Sequence, residues 1–274
     1  DLQQDKNAVE QFQLEDWVSK RLKHDNLMQC YPHNTEKKYL FQCYEYLQGE
    51  TLAQWLHRQE KPLNLDDILP ILQQTALALN AMHRLEMLHQ DIRPENIMVI
   101  NAENAMKIKL IDYGSTAVRG LVEINPKNAN RALGTLAFMA PEYFIDHSPS
   151  VHSDQFSLAV MAYYLFTKQL PYGTDLARCN SLKQMKKVQY HSIRKYRPDL
   201  PIWLDKILGQ ALSIEPIHRF EALSELIHNL MHPSKELLNS KPPAIIERDP
   251  LRFWQMSCAV LGLLFLLSIA WPFI

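Results

Sequence analysis

The stretch MLHQDIRPENIMVI, residues 87–100, decides the fold of this 274-residue chain. It begins with an apolar pair and ends in an apolar run typical of a β-strand, with a dense polar cluster between them. This pattern predicts a loop held between two buried elements. Because His, Asp, Arg and Asn all fall between residues 89 and 96, the cluster is a candidate for chemistry as well as for a plain polar turn.

A second strand pattern follows at residues 105–111, where apolar and polar residues alternate. Asp112 comes directly after this strand, whereas Asp91 and Asn96 precede the strand at 97–100. Carboxylate and amide oxygens are hard ligands that suit Mg²⁺. Together with a carboxylate that orients a hydroxyl, they are the equipment that phosphoryl transfer needs.

The composition sets the class of protein. Hydrophobic residues make up 47% of the chain and charged residues 22%, which predicts a substantial core and excludes wholesale disorder. The formal net charge of -1 gives no general attraction to nucleic acid, and no nucleic-acid partner is expected. The four cysteines are scattered without metal-ligand spacing and are typical of unpaired thiols in a reducing compartment.

Three motifs, in this order, resemble those of the protein kinase family. HQDIRPEN at 89–96 resembles the catalytic loop, DYG at 112–114 the magnesium-binding motif, and residues 134–142 the end of the activation segment. Each motif alone is a weak signal, whereas all three at workable spacing are a strong one. The resemblance covers about residues 9–232, and Pro94-Glu95 favours the serine/threonine type.

The resemblance implies roles for individual residues. Asp91 corresponds to the base that orients the substrate hydroxyl, and Asn96 and Asp112 to the two metal-holding positions. Arg93 corresponds to the loop lysine beside the transferred phosphate, where its guanidinium keeps the charge and offers a fork to phosphate oxygens. The implied cofactors are ATP and Mg²⁺ or Mn²⁺.

Further positions match the family's ATP site and its structural anchors. Glu15 matches the helix glutamate that holds the ATP-binding lysine, although such a residue taken alone is usually part of a solvated helix face. The hinge that binds adenine through its backbone corresponds to Glu45, Tyr46 and Leu47, with Tyr44 as gatekeeper. The anchors are Thr135, which would brace Asp91, Asp154, which would hold the catalytic-loop backbone, and the ion pair of Glu142 with Arg219.

The chain departs from the family in three ways. These residues contain no G-x-G-x-x-G motif, so we expect the glycine-rich loop and the ATP-binding lysine to lie before Asp1 and the piece as given not to bind ATP normally. Gln90 stands where many kinases have an arginine that grips a phosphate on the activation loop. Tyr113 replaces phenylalanine, which we interpret as a mild change within the apolar spine.

The C-terminal end has a different character. Residues 253–274 carry no charge and as a helix would span about 30 Å, the thickness of the hydrocarbon core. A buried core helix is the alternative, which a run so long, terminal and charge-free disfavours. Arg248 and Arg252 precede the run, so the kinase lobe is expected to face the cytoplasm. The predicted division is a partial small lobe at 1–50, a large lobe at 51–233, a linker at 234–250 and a transmembrane helix at 251–274.

We therefore expect an α+β protein with a kinase-like fold, a truncated small lobe, a complete helical large lobe and a C-terminal transmembrane helix. It resembles bacterial eukaryotic-type serine/threonine kinases, and more narrowly the kinase half of fusions with a metal-dependent protein phosphatase. The implied partners are a protein substrate, membrane lipid around the span, and a phosphatase, fused or separate. One alternative is a pseudokinase that acts as a tethered scaffold; the presence of Asp91, Asn96 and Asp112 argues against it, because a scaffold does not need all three. The other is a small-molecule kinase, which Thr135 and the segment at 140–142 disfavour.

Overall fold

The structure is a computed structural model that describes residues 6–32, 40–102, 105–119, 136–145, 148–239 and 254–262. Thr135, which was predicted to brace Asp91, lies outside these residues, as does the middle of the activation segment. The chain divides into two compact units, residues 1–234 and 235–274.

The first unit combines short strands with longer helices, as the α+β prediction requires. Its described helices are α1 (Lys6–Ser19), α2 (Leu52–His57), α3 (Leu65–His83), α4 (Val151–Thr167), α5 (Leu182–Met185), α6 (Ile202–Ala211) and α7 (Leu223–Met231). Its described strands are β1 (Cys30–Tyr31), β2 (Cys43–Tyr44), β3 (Glu50–Thr51), β4 (Met87–Leu88), β5 (Ile97–Ala102), β6 (Ala105–Leu110) and β7 (Ala117–Val118). Short 3-10 turns occur at Pro94–Asn96, Pro141–Phe144, Leu176–Arg178, Ile193–Lys195 and Pro216–His218.

The strands described above form three small antiparallel sheets. β1 pairs with β2, β4 pairs with β7, and β3, β5 and β6 form a sheet in that order. In the β5–β6 hairpin Ile97 lies opposite Leu110, so the residues before β5 and after β6 meet at one end. Within the aromatic-rich run at residues 40–47, the paired strand is limited to β2. One further bond joins the Glu45 N–H to the Gln29 carbonyl.

The helices α3 and α4 form the centre of the large lobe. α3 packs against β6, α4 and α7. Ser150 and Ser153 form a capping box at the start of α4, and nearly every residue of the helix from Ser153 to Phe166 is buried. From Phe156 to Phe166 the residues are almost wholly apolar, and a helix that is apolar on nearly all sides lies in a core.

The second unit contains α8 (Lys235–Leu238) and a helix at residues 254–262. Among the residues that the structure describes, none of the helices has the length and apolar character that crossing a membrane requires. The predicted transmembrane helix at 251–274 falls mostly outside the described residues.

Candidate active site

The β5–β6 hairpin brings Asn96 and Asp112 to the same place. Asn96 directly precedes β5, and Asp112 follows two residues after the end of β6. The Ile111 N–H donates to the Asn96 carbonyl at 2.8 Å, so the two chain segments remain paired beyond the strands. A magnesium ligand set predicted from two separate motifs is therefore assembled by one hairpin.

Asp91 is held by Asn96 itself. The Asn96 Nδ2 donates to the Asp91 carbonyl at 2.8 Å and to the Asp91 Oδ2 at 2.9 Å. This leaves the amide oxygen of Asn96, Oδ1, as the atom that can ligate a cation. Asn96 is buried and Asp91 half-buried, so the carboxylate is fixed in direction yet reachable from solvent.

The backbone before Asp91 is held by a buried carboxylate on α4. Asp154 has no exposed surface; its Oδ1 accepts from the Gln90 N–H at 2.9 Å and its Oδ2 from the His89 N–H at 3.0 Å. Gln90 adopts a left-handed backbone with a φ of 66°, which is uncommon for a residue with a side chain and is stabilised here by that bond. Asp154 thus makes the contact that the resemblance implied.

His83 at the end of α3 is a part of this arrangement that the sequence did not predict. Its Nε2 lies 2.8 Å from the Asp154 Oδ2. Burial alone would raise the pKa of Asp154, but the bond to His83, the charges of His83 and His89 and the Gln90 N–H together hold that pKa below its ordinary value. No local pattern marks His83, because its partner lies 71 positions along the chain.

Asp112 is exposed and points one oxygen at its own turn. Its Oδ1 accepts from the Gly114 N–H at 3.0 Å, and its φ is 65°. A Cβ on Gly114 would lie 3.2 Å from the Asp112 Oδ1 and 3.4 Å from the Glu15 Oε2. Glycine at this position therefore permits two carboxylates, one from α1 and one from the turn after β6, to converge.

Glu15 of α1 lies near Asp112 and Gly114 and pairs with no cation among the described residues. Within the described part of the chain it has no ion-pair partner, and its Oε1 accepts from the Tyr44 hydroxyl at 3.1 Å. Burial raises the pKa of Glu15, the Tyr44 bond lowers it, and the charges of Asp112 and Asp16 raise it further, so that the net shift is upward. Such a carboxyl is suited to meet a positive charge, as the implied role requires.

Arg93 interacts electrostatically with Asp91 and Asp112, but its side chain is bound to Glu95. Its Nε donates to the Glu95 Oε2 at 2.7 Å. This bond raises the pKa of Arg93, burial opposes the rise, and the charges of Glu95, Asp91 and Asp112 add to it. A guanidinium so placed can attract phosphate oxygens to the Asp91 and Asp112 carboxylates.

The hinge has a side-chain contact that the sequence did not predict. The Glu45 Oε1 accepts from the Gln29 N–H at 2.7 Å and forms a short ion pair with Lys109 of β6. The Glu45 carboxylate is thereby committed to structure, and the Glu45 N–H donates to the Gln29 carbonyl. Adenine binding by the hinge backbone, which the resemblance implied, stays a prediction. Tyr46 is 93% exposed and Leu47 is half-buried.

The donor set fits a magnesium ion that arrives with a nucleotide. Within the described ranges no three His, Cys, Asp or Glu residues form a metal site. Mg²⁺ is usually held by one or two carboxylates together with substrate phosphates rather than by a cage of protein ligands. Asp112 and the Asn96 amide oxygen supply that smaller number of ligands.

Comparisons with known proteins agree with this geometry. The sequence matches the family described as protein kinase domain over residues 1–233. Among curated relatives, serine/threonine-protein kinase PrkC of Bacillus subtilis is 25% identical over 82% of this chain and 34% of that protein. Serine/threonine-protein kinase pkn3 of Myxococcus xanthus is 31% identical over 78% of this chain and 40% of that protein. The chain thus spans about a third of the length of the curated relatives it matches.

The same fold occurs in a solved structure. The crystal structure of the Mycobacterium tuberculosis PknI kinase domain superposes with a TM-score of 0.63 at 24% identity, covering 85% of this chain and 82% of the other. At this identity the likeness concerns the fold.

Proposed function

This chain belongs to the protein kinase family, and from that premise we propose that the full-length protein transfers the γ-phosphoryl group of ATP to serine or threonine of a protein substrate. The resemblance to bacterial serine/threonine kinases, stated above from the sequence, is confirmed by the family match and the curated relatives. Because those relatives are far longer than this chain, the activity of the whole protein is a proposal.

One observation carries the proposal: the β5–β6 hairpin and the Asn96 amide place Asp91, Asn96 and Asp112 together. When bound, ATP with Mg²⁺ would supply the phosphoryl group and neutralise its charge. In this chain, the Asp91 carboxylate would accept a hydrogen bond from the substrate hydroxyl and orient its oxygen. Asn96 Oδ1 and an Asp112 carboxylate oxygen would hold the metal, and Arg93 would attract phosphate oxygens.

Asp112→Asn in the full-length protein tests this proposal. The change should lower the rate about a thousandfold, because it removes a metal-binding charge from the site. Folding should survive, because Asp112 is exposed. The assay is transfer of radiolabel from ATP to a generic protein substrate, with Asp175→Asn on the large-lobe surface as the matched control. Near-normal transfer by the Asp112 variant would overturn the enzyme proposal and favour a scaffold.

We also propose that residues 253–274 tether the kinase to a membrane, with the catalytic unit on the cytoplasmic side. The support is the charge-free run itself and the exposed apolar side chains of its described helix, which include Met256, Val260 and Leu261. Removing residues 253–274 should release the full-length protein from membranes. If the truncated protein still sediments with membranes after a salt wash, this run is not the anchor. The narrower likeness to phosphatase–kinase fusions stays a prediction, and with it a phosphatase partner.

A further inference from the structure

We propose that Tyr113 is a positioning residue, whose hydroxyl holds the Asp112 segment in the conformation that meets the metal. The proposal rests on the proposed function, because it concerns the approach of Asp112 to magnesium. Tyr113 stands where the resembling family has phenylalanine, so the hydroxyl is a feature of this chain rather than of the motif. The sequence had suggested only a mild change at this position.

The Tyr113 hydroxyl lies at a junction between two backbone segments. It donates to the Met28 carbonyl at 2.9 Å and lies 3.3 Å from the Leu110 carbonyl. The same two residues are joined directly, because the Met28 N–H donates to the Leu110 carbonyl at 3.0 Å. The hydroxyl therefore closes a ring of hydrogen bonds that links β6 to the segment between α1 and β1.

These hydrogen bonds fix the residues on both sides of Asp112. Leu110 is the last residue of β6, and Tyr113 follows Asp112 directly, so the chain is anchored before and after the metal-binding residue. Asp112 itself has a left-handed backbone and an exposed side chain, and local restraint must therefore come from its neighbours. The Tyr113 ring also packs edge-on against His89 of the catalytic loop, with centroids 6.4 Å apart.

Burial makes the hydroxyl hard to displace. Tyr113 is 1% exposed, and burial raises the pKa of its hydroxyl, which stays protonated as a donor. Moving the ring out of this position would strand the hydroxyl or the Met28 carbonyl without its partner, which phenylalanine would not do. The hydroxyl thus disfavours alternative positions of the Asp112 segment.

The test compares two tyrosines in the full-length protein. Tyr113→Phe removes the bond to Met28, and Tyr172→Phe is the control, because Tyr172 is also buried and its hydroxyl donates to the Leu212 carbonyl at 2.8 Å, away from the site. Hydrogen exchange measured by mass spectrometry reports on segment 111–116, where the Thr116 N–H is protected by the Tyr113 carbonyl. Tyr113→Phe should speed exchange in this segment about five- to tenfold, whereas the control should leave it unchanged.

A second readout is the Mg²⁺ concentration that gives half-maximal phosphoryl transfer. It should rise in Tyr113→Phe and stay unchanged in the control, while the KM for the protein substrate stays unchanged in both. Unchanged exchange at 111–116 in Tyr113→Phe, or an equal increase in Tyr172→Phe, would overturn the proposal and reduce Tyr113 to core packing. Hydrogen exchange is measured without substrates. If the full-length protein transferred no phosphoryl group, the proposed function would be refuted, but the exchange rates would still decide whether the Tyr113 hydroxyl restrains segment 111–116.

Discussion

Neutralising Glu142 is expected to destabilise this protein more than any comparable change on its surface. Glu142 lies in the turn Pro141–Phe144, and both of its oxygens accept from Arg219, each at 2.8 Å. The Ser153 hydroxyl donates to the same carboxylate at 2.7 Å. The two charged side chains are 3% and 0% exposed, so water replaces none of these bonds if one partner is removed.

The magnitude follows from what Glu142→Gln leaves behind. Arg219 would keep its bonds to the carbonyls of Ser213, His152 and Ile214, but its buried positive charge would lose its counter-ion. Removing one partner of a buried pair typically costs about 3–5 kcal/mol, because an uncompensated charge stays buried. We expect a loss of this size in the free energy of unfolding at neutral pH.

The loss should depend on pH. Burial alone would raise the pKa of Glu142, but the bonds and charge of Arg219 and the Ser153 hydroxyl outweigh it and lower that pKa below its ordinary 4.5. A carboxyl with a depressed pKa contributes stability above its unfolded pKa and loses that contribution as the pH falls through its folded pKa. The difference in the free energy of unfolding between wild type and Glu142→Gln should therefore be largest at pH 7 and shrink as the pH falls below the ordinary glutamate pKa of 4.5.

Urea unfolding at several pH values measures this difference. The matched control is Asp199→Asn, because Asp199 makes a similarly close pair with Arg197 at 2.8 Å but is 61% exposed. Arg197 also keeps its bonds to the carbonyls of Leu63 and Phe166, so this control should change little. A cost below about 1 kcal/mol for Glu142→Gln at pH 7, or one that does not shrink in acid, would refute the reasoning.

Two further predictions concern the candidate site. Asp154→Asn should lower the free energy of unfolding by about 3 kcal/mol, because it weakens charge-assisted bonds to the His89 and Gln90 N–H groups. Phosphoryl transfer by the full-length protein should fall as well. Normal stability in urea would contradict this prediction. Glu15→Gln should raise the thermal stability of the 274-residue chain at neutral pH, because burial raises the pKa of Glu15 and its charged form opposes folding. That advantage should fade as the pH falls and Glu15 itself takes up a proton, and a loss of stability at pH 7 would contradict it.

Local patterns predicted the parts of the fold that depend on neighbours in sequence. The alternating run at 105–111 became β6 at Ala105–Leu110. Apolar residues also recur with helical spacing at residues 66–82, which lie within α3 at Leu65–His83. Both patterns were readable because side-chain periodicity is a property of each element alone. The hairpin that joins Asn96 to Asp112 followed from two such strands in succession.

Contacts between distant segments could not be predicted in this way. The ion pair of Lys109 with Glu45 joins residues 64 positions apart, and the Tyr113 hydroxyl reaches a carbonyl 85 positions away. Each depends on how strands and helices meet in space, and a lysine in an alternating strand is ordinarily a solvent-facing residue. Motif matching assigned Tyr113 by its ring and so gave no role to the hydroxyl that distinguishes it from phenylalanine.

The last prediction concerns how the activation segment is controlled. Between Val118 and Gly134 the sequence contains no serine, threonine or tyrosine. Gln90, which stands where many kinases carry a phosphate-binding arginine, is 5% exposed and is tied through its N–H to Asp154. A phosphate adds close to two negative charges, which order a loop only where arginine or lysine pairs with them. The segment thus lacks an acceptor hydroxyl, and position 90 lacks the cation that would receive the phosphate.

We therefore expect that phosphorylation in the middle of this segment does not activate the kinase. The hydroxyls nearest to the segment are Ser115, Thr116 and Thr135, and Thr116 is buried. Mass spectrometry of active full-length protein should find residues 118–134 unmodified, and treatment with a phosphatase should leave the initial rate unchanged. A rate that falls on dephosphorylation, returns after preincubation with ATP and maps to Ser115, Thr116 or Thr135 would show that a neutral Gln90 does not exclude control by phosphate, because some other cation would then have to pair with it.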